Sequence, residues 1–162
     1  MNIEIERKFL VKSADFKKDA FSQKIIKQGY LNSNVLRTVR VRILDDKGFI
    51  TVKGASNNTG ISRFEWEKQI PRKEAEDLLL LCEPSIIDKK RFYIKTNDFT
   101  FEVDEFYGDN EGLLLAEIEL NNENDFFEKP KWLGEEVTGN EKYYNSYLSK
   151  NPFKNWESTN CK

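Results

Sequence analysis

The chain has 162 residues, 33% of them charged, yet 26 basic and 28 acidic residues leave a formal net charge of only -2. That length suits one domain with its own core, and the balance offers no basic tail that would ask for nucleic acid. Histidine is absent and Cys82 and Cys161 stand far apart, which excludes Ser-His and Cys-His catalysis, the usual zinc-ligand sets and a disulfide scaffold, and fits a reducing cytoplasm.

In chain order, Glu4, Glu6, Arg7 and Lys8 charge the first ten residues and no long apolar run follows, so neither a signal peptide nor a membrane span is expected. The alternation from Ile3 to Val11 predicts a strand, and Ser13 to Lys24 reads as a short helix or turn with Ser13 as its cap. A second strand begins at Gln28-Gly29-Tyr30-Leu31. Leu36 to Leu44 and Gly48 to Lys53 form a hairpin across Asp45-Asp46-Lys47-Gly48, and Gly54 to Gly60 is a polar loop. Ser62 to Ile70 is a strand, after which Pro71 opens a helix over Lys73 to Cys82 that turns its leucines to the sheet. Ile86 to Ile94, Phe99 to Phe106 and Leu113 to Leu120 complete the strands. Glu123 to Lys129 reads as a short helix ended by Pro130, and Glu141 to Lys150 as the last helix. Residues 1–155 then make one domain, and 156–162 a loose tail. Strands outnumber helices and follow one another through turns, which points to an antiparallel sheet in an α+β fold.

These strands share an unusual pattern. An extended chain puts Glu4, Glu6 and Lys8 on one face, about 7 Å apart. Similar stripes recur at Arg40 and Arg42; Thr51 and Lys53; Arg63, Glu65 and Glu67; Glu102 and Asp104; and Glu117 and Glu119, mostly with apolar residues between. An ordinary half-buried strand turns its charges to water, but so many strands bearing both signs imply charged faces that meet around an enclosed polar site. In a dry core each uncompensated ion would cost on the order of several kcal/mol. The apolar faces must then lie outward under helices and loops, in a barrel turned polar side in. Carboxylates without histidine or thiolate favour Mg²⁺ or Mn²⁺, and the arginines and lysines would grip a polyanion, so a polyphosphate is the expected ligand.

The ordered set Glu4-Ile-Glu-Arg-Lys-Phe-Leu-Val11, Gln28-Gly-Tyr-Leu31, Arg40-Val-Arg42, Thr51-Val-Lys-Gly54, Arg63-Phe-Glu-Trp-Glu67, Glu102-Val-Asp104, Leu115-Ala-Glu-Ile-Glu119 and Trp132-Leu-Gly-Glu-Glu-Val-Thr138 resembles the CYTH superfamily of triphosphate tunnel metalloenzymes. The resemblance spans nearly the whole chain. It implies an antiparallel eight-stranded barrel forming a tunnel, with flanking helices, and is nearest to the short bacterial inorganic triphosphatases. It further implies two Mg²⁺ or Mn²⁺ ions held by Glu4, Glu6, Glu65, Glu67, Glu117 and Glu119. Glu117 and Glu119 would also orient the nucleophilic water. Phosphates would be held by Lys8, Arg40, Arg42, Lys53, Arg63, Lys89, Arg91 and Lys142, with Tyr30 hydrogen-bonded to Lys8 and Lys142 closing one tunnel mouth. A one-residue slip would turn Lys90 inward in place of Lys89. The expected partner is a triphosphate-containing small molecule, with a homodimer as the assembly and neither nucleic acid nor membrane. A class IV adenylyl cyclase ranks second, and a thiamine or nucleoside triphosphatase third.

Overall fold

The computed structural model describes residues 2–156. Nine strands form one antiparallel sheet: β1 (Ile3–Val11), β2 (Ser22–Asn32), β3 (Arg37–Leu44), β4 (Lys47–Ser56), β5 (Ser62–Ile70), β6 (Ile87–Thr96), β7 (Phe99–Phe106), β8 (Leu114–Glu119) and β9 (Leu133–Glu136). The spatial order is β5-β4-β3-β2-β6-β7-β8-β1-β9, and β1 also pairs with β5, so eight strands close into a barrel. One edge of β1 is shared. Its first residues pair with β5 (Ile3↔Phe64, Glu4↔Arg63, Ile5↔Ser62), its last with β9 (Phe9↔Glu136, Val11↔Leu133), and its other edge runs along β8 from Glu6↔Glu119 to Leu10↔Leu115.

Strand alternation sorts the side chains into two environments. The outward positions of β1, β6, β7 and β8, among them Phe9, Phe92, Phe101, Val103 and Ile118, are buried beneath α1 (Phe16–Asp19) and the segment before β9, with Phe16, Phe127 and Trp132 packed on them. A second outer cluster joins Val41 and Ile43 of β3 to Ala75 and Leu79 of α2 (Arg72–Leu79). Inward positions are charged along most of the barrel but turn apolar at one end. There Ile87, Phe106, Leu113 and Leu115 pack against Leu148 of α3 (Asn145–Leu148) and against Trp156. The C-terminal segment is therefore a greasy stopper, and the charged stripes run from it toward an open mouth.

Several expectations are corrected. β2 starts at Ser22, inside the stretch read as helix, because Ile26 faces inward and is fully buried while Ile25 points out. Residues 123–129 form no helix, since the Asp125 carboxylate accepts the backbone N–H groups of Asn121 and Asn122 and closes a turn instead. The expected helix from Glu141 to Lys150 is split into a 3₁₀ turn at Glu141–Tyr143 and α3. Trp156, assigned to the tail, is buried and donates its indole N–H to the Asn151 carbonyl at 2.9 Å. The remainder of that tail, 157–162, lies outside the described residues. Among the described residues no helix is long and apolar enough to cross a membrane.

Candidate active site

The barrel encloses a polar tunnel of about 150 Å³. Its lining contains all six acids of the paired stripes, Glu4, Glu6, Glu65, Glu67, Glu117 and Glu119, together with Glu102. The bases Lys8, Arg40, Arg42, Lys53, Arg63, Lys89 and Arg91 line it too, with Tyr30. The lining acids farthest along β7 and β8 from the apolar stopper are Glu102 and Glu119, and they mark the open mouth.

Ion pairing divides the acids by role. Asp104 is buried beneath the tunnel wall, where the Arg91 guanidinium donates to both its oxygens at 2.8 and 2.9 Å and Lys89 Nζ reaches it at 2.7 Å. Arg91 also approaches Glu117 at 3.4 Å and Glu102 at 3.2 Å. Lys8 Nζ lies 3.1 Å from Glu117, and Lys53 Nζ lies 2.9 Å from Glu4 and 3.5 Å from Glu65. Arg40 and Arg42 share Glu67, each at 3.3 Å, while the Thr51 hydroxyl donates to the same carboxylate at 2.7 Å. The Nε atoms of Arg40 and Arg42 are nevertheless buried without a hydrogen-bond partner. Leaving such a donor unmet costs about 1–3 kcal/mol, which an anion in the tunnel would recover.

The proton affinities separate along the same line. Burial works to raise Glu117, but Lys8, Arg91 and Lys89 outweigh it and hold its carboxyl well below the usual range. Burial likewise opposes the Lys53 and Arg63 charges at Glu4, which end by lowering it. Glu6 moves the other way, pushed well up by burial and then by Glu117 and Glu4. Glu65 is raised by burial and by Glu4, and Glu119 is pushed up to about 7 by burial and then by Glu4, Glu65 and Glu102. Burial lowers Lys89 to about 8 despite Asp104, and lowers Arg42 to about 10, helped by Arg40 and Arg91.

Carboxylate oxygens of Glu4, Glu65 and Glu119 lie within 4.8 Å of one another. Three converging hard oxygen donors, two of them raised by burial and then by their acidic neighbours, fit a divalent Mg²⁺ or Mn²⁺ ion, which would relieve the repulsion among them. Glu6, Glu67 and Glu117, expected among the ligands, lie outside this trio; Glu67 and Glu117 pair with arginine and lysine, as Glu4 within the trio does with Lys53.

Three further positions bear on the expectations. Lys89, not Lys90, faces the tunnel, because Lys89 shares strand parity with Arg91 and is 1% exposed. Tyr30 lines the tunnel without bonding Lys8, whose ammonium goes to Glu117 and to the Tyr143 carbonyl at 3.0 Å. Lys142 is absent from the lining; its ammonium sits 4.4 Å from the Trp156 ring centroid on the stopper. Sequence reasoning missed Thr38, Tyr144, Asn145 and Ser146. Thr38 was recoverable from its parity with Arg40 and Arg42, whereas the other three belong to a short aperiodic segment that carries no such signal.

The CYTH domain model matches residues 2–152. An inorganic triphosphatase of Acetivibrio thermocellus is 51% identical over 158 residues, 97% of this chain and 99% of that protein. One of Nitrosomonas europaea is 36% identical over 150 residues, 90% and 96% of the two chains. A solved inorganic triphosphatase structure superposes with a TM-score of 0.62 at 32% identity, covering 92% of this chain and 95% of the other. With a polar tunnel in a closed antiparallel barrel and a family match along nearly its whole length, the chain belongs to the CYTH domain family.

Proposed function

We propose that the protein is a divalent-metal-dependent triphosphate hydrolase that splits inorganic tripolyphosphate into pyrophosphate and phosphate. The observation that carries this reading is the tunnel itself, where carboxylates crowd at one place and buried arginine donors lack partners a short way off. Its volume of about 150 Å³ falls below the ~300–1,000 Å³ of pockets that enclose drug-sized organic ligands, which favours a bare phosphate chain over a nucleotide held inside. The names of the two relatives support the same reaction.

In this reading Glu4, Glu65 and Glu119 hold one Mg²⁺ or Mn²⁺ ion. Such an ion supplies charge neutralisation at phosphoryl oxygens and a lowered pKa for water. Among the described residues no second carboxylate trio of this kind occurs, so a second ion would complete its shell with substrate oxygens. Arg40, Arg42, Arg63 and Arg91 grip phosphate oxygens through their forked donors, and Lys8, Lys53 and Lys89 add point charges along the chain. The Glu119 carboxylate would accept a hydrogen bond from the attacking water and orient it in line with the bond to be broken at the terminal phosphorus. Glu117 and Asp104 act through the bases, keeping Lys8, Lys89 and Arg91 charged and aimed. The leaving pyrophosphate departs with its negative charge matched by those cations.

The test is a product assay on the purified chain with Mg²⁺ or Mn²⁺, using tripolyphosphate and ATP in parallel. Equimolar phosphate and pyrophosphate from tripolyphosphate is the expected result. Cyclic AMP from ATP, with tripolyphosphate left intact, would replace this reading by a cyclase.

A further inference from the structure

Beside the stopper, a second way out of the tunnel exists and is shut. A neck of about 20 Å³ runs between Gly60, Thr138, Gly139 and Tyr144, close to where β1 and β5 part. The neck leads to a surface vestibule of about 360 Å³. Among the described residues, Tyr144 is the one that faces tunnel, neck and vestibule alike. A space of ~10–15 Å³ admits one water, so the neck passes water and stops a phosphate group.

Tyr144 is fastened in that position. Its hydroxyl is 3.4 Å from Ser56 Oγ, and its ring lies 5.6 Å from Lys8 Nζ and 5.5 Å from the Arg63 guanidinium carbon. Its neighbour Asn145 accepts hydrogen bonds at Oδ1 from Gln28 and Lys89, each at 3.0 Å. The rim is equally tight, since a Cβ on Gly60 would lie 2.5 Å from the Cα of Gly139. Past the ring the chemistry changes, for the vestibule lining includes Val35, Leu36, Ala55 and Glu141 but no Lys or Arg. An anionic chain that reaches Tyr144 has nothing beyond to hold it.

The geometry points to Tyr144 as the end-stop of a dead-end tunnel, the residue that fixes the register of a phosphate chain and so the length of the piece removed. This rests on the triphosphatase reading above. A chain entering by the mouth halts with its terminus at the ring, so the bond presented for cleavage is set by distance from that terminus. Each cut adds one water across one P–O–P linkage, whatever the total length. Longer linear polyphosphates are therefore shortened from the end by a constant increment. Tyr144 touches no reacting atom; it acts on which bond reaches them.

The experiment compares wild type, Tyr144→Phe, Tyr144→Leu and Tyr144→Ala on tripolyphosphate, tetrapolyphosphate and a longer linear polyphosphate, with products resolved by phosphorus NMR and folding followed by thermal unfolding. Wild type is expected to release one product size from the longer chains, and Tyr144→Phe to keep that pattern because the ring remains. Tyr144→Ala is expected to give mixed product sizes and to raise kcat/KM for tetrapolyphosphate relative to tripolyphosphate about tenfold. Tyr144→Leu, which fills more of the space, provides the same comparison should the alanine variant fail to fold. An active, folded Ala or Leu variant with the wild-type product pattern overturns the end-stop, as does a wild type that cuts at no fixed distance from the chain end. A wild type that releases no phosphate from tripolyphosphate overturns the underlying reaction instead.

Discussion

Glu117 and Glu119 share one face of β8, two residues apart, and meet opposite surroundings. Glu117 has Lys8 at 3.1 Å and Arg91 at 3.4 Å, whereas Glu119 faces Glu4, Glu65 and Glu102 near the mouth. In the proposed mechanism Glu117 is thus a counter-ion that keeps bases in place, and Glu119 is the acid that would serve a metal and a water. Glu119→Ala should cut metal-dependent phosphate release by about 10²-fold or more while the unfolding midpoint holds or rises, because its removal relieves the like charges of Glu4, Glu65 and Glu102. Undiminished turnover in that variant would remove Glu119 from the site. Asp104→Ala should behave in the opposite sense. It strands Lys89 and Arg91 in the wall, and urea unfolding should register a loss of about 3–5 kcal/mol.

At the scale of elements, the alternating strands were readable and the connections much less so. Ile3–Val11, Ser62–Ile70 and Phe99–Phe106 were anticipated to the residue because inward charge and outward apolar residues alternate along them. β9 was invisible, as four residues paired to part of one edge are too few for a periodicity to develop. The candidate site was legible for the same reason as the strands: twelve of the thirteen acids and bases in the stripes share the tunnel lining, all but Asp104, and parity put them there. Tyr144 and Asn145 escaped notice because tertiary packing, not pattern, carries them to the wall. The loop at Gly60 has its own signature, a φ of +77° together with backbone contact to Gly139. Gly108 offers a control, with φ at +62° but open space where a Cβ would go. Gly108→Ala should cost about 1–2 kcal/mol of left-handed strain. Gly60→Ala adds a collision with backbone and should cost clearly more in the same denaturant titration; equal costs would mean that the rim yields.

At the scale of the whole molecule the common arrangement of a barrel is inverted: among the described residues three apolar clusters lie outside it or at one end, and the paired acids and bases gather within. Its stability must therefore answer to pH and to metal together. Glu6, Glu65 and Glu119 have folded-state proton affinities above their unfolded ones, so each contributes most below the unfolded value of 4.5 and loses that contribution as pH rises, for Glu119 through the window from 4.5 to about 7. Glu4, Glu67 and Glu117 are depressed and have the reverse effect, contributing above 4.5 and failing as pH falls below it. In a chelator the unfolding midpoint should then decline as pH is raised from 4.5 to about 7. A divalent ion would bind the deprotonated trio, so its stabilisation would grow along that same interval, as the logarithm of one plus the ratio of ion concentration to its dissociation constant. Excess Mg²⁺ or Mn²⁺ should flatten or reverse the decline, and Glu119→Gln should flatten it in chelator while weakening the response to metal. Midpoint curves that coincide with and without the ion across this interval would mean that Glu4, Glu65 and Glu119 do not form a cation site, whatever their proximity.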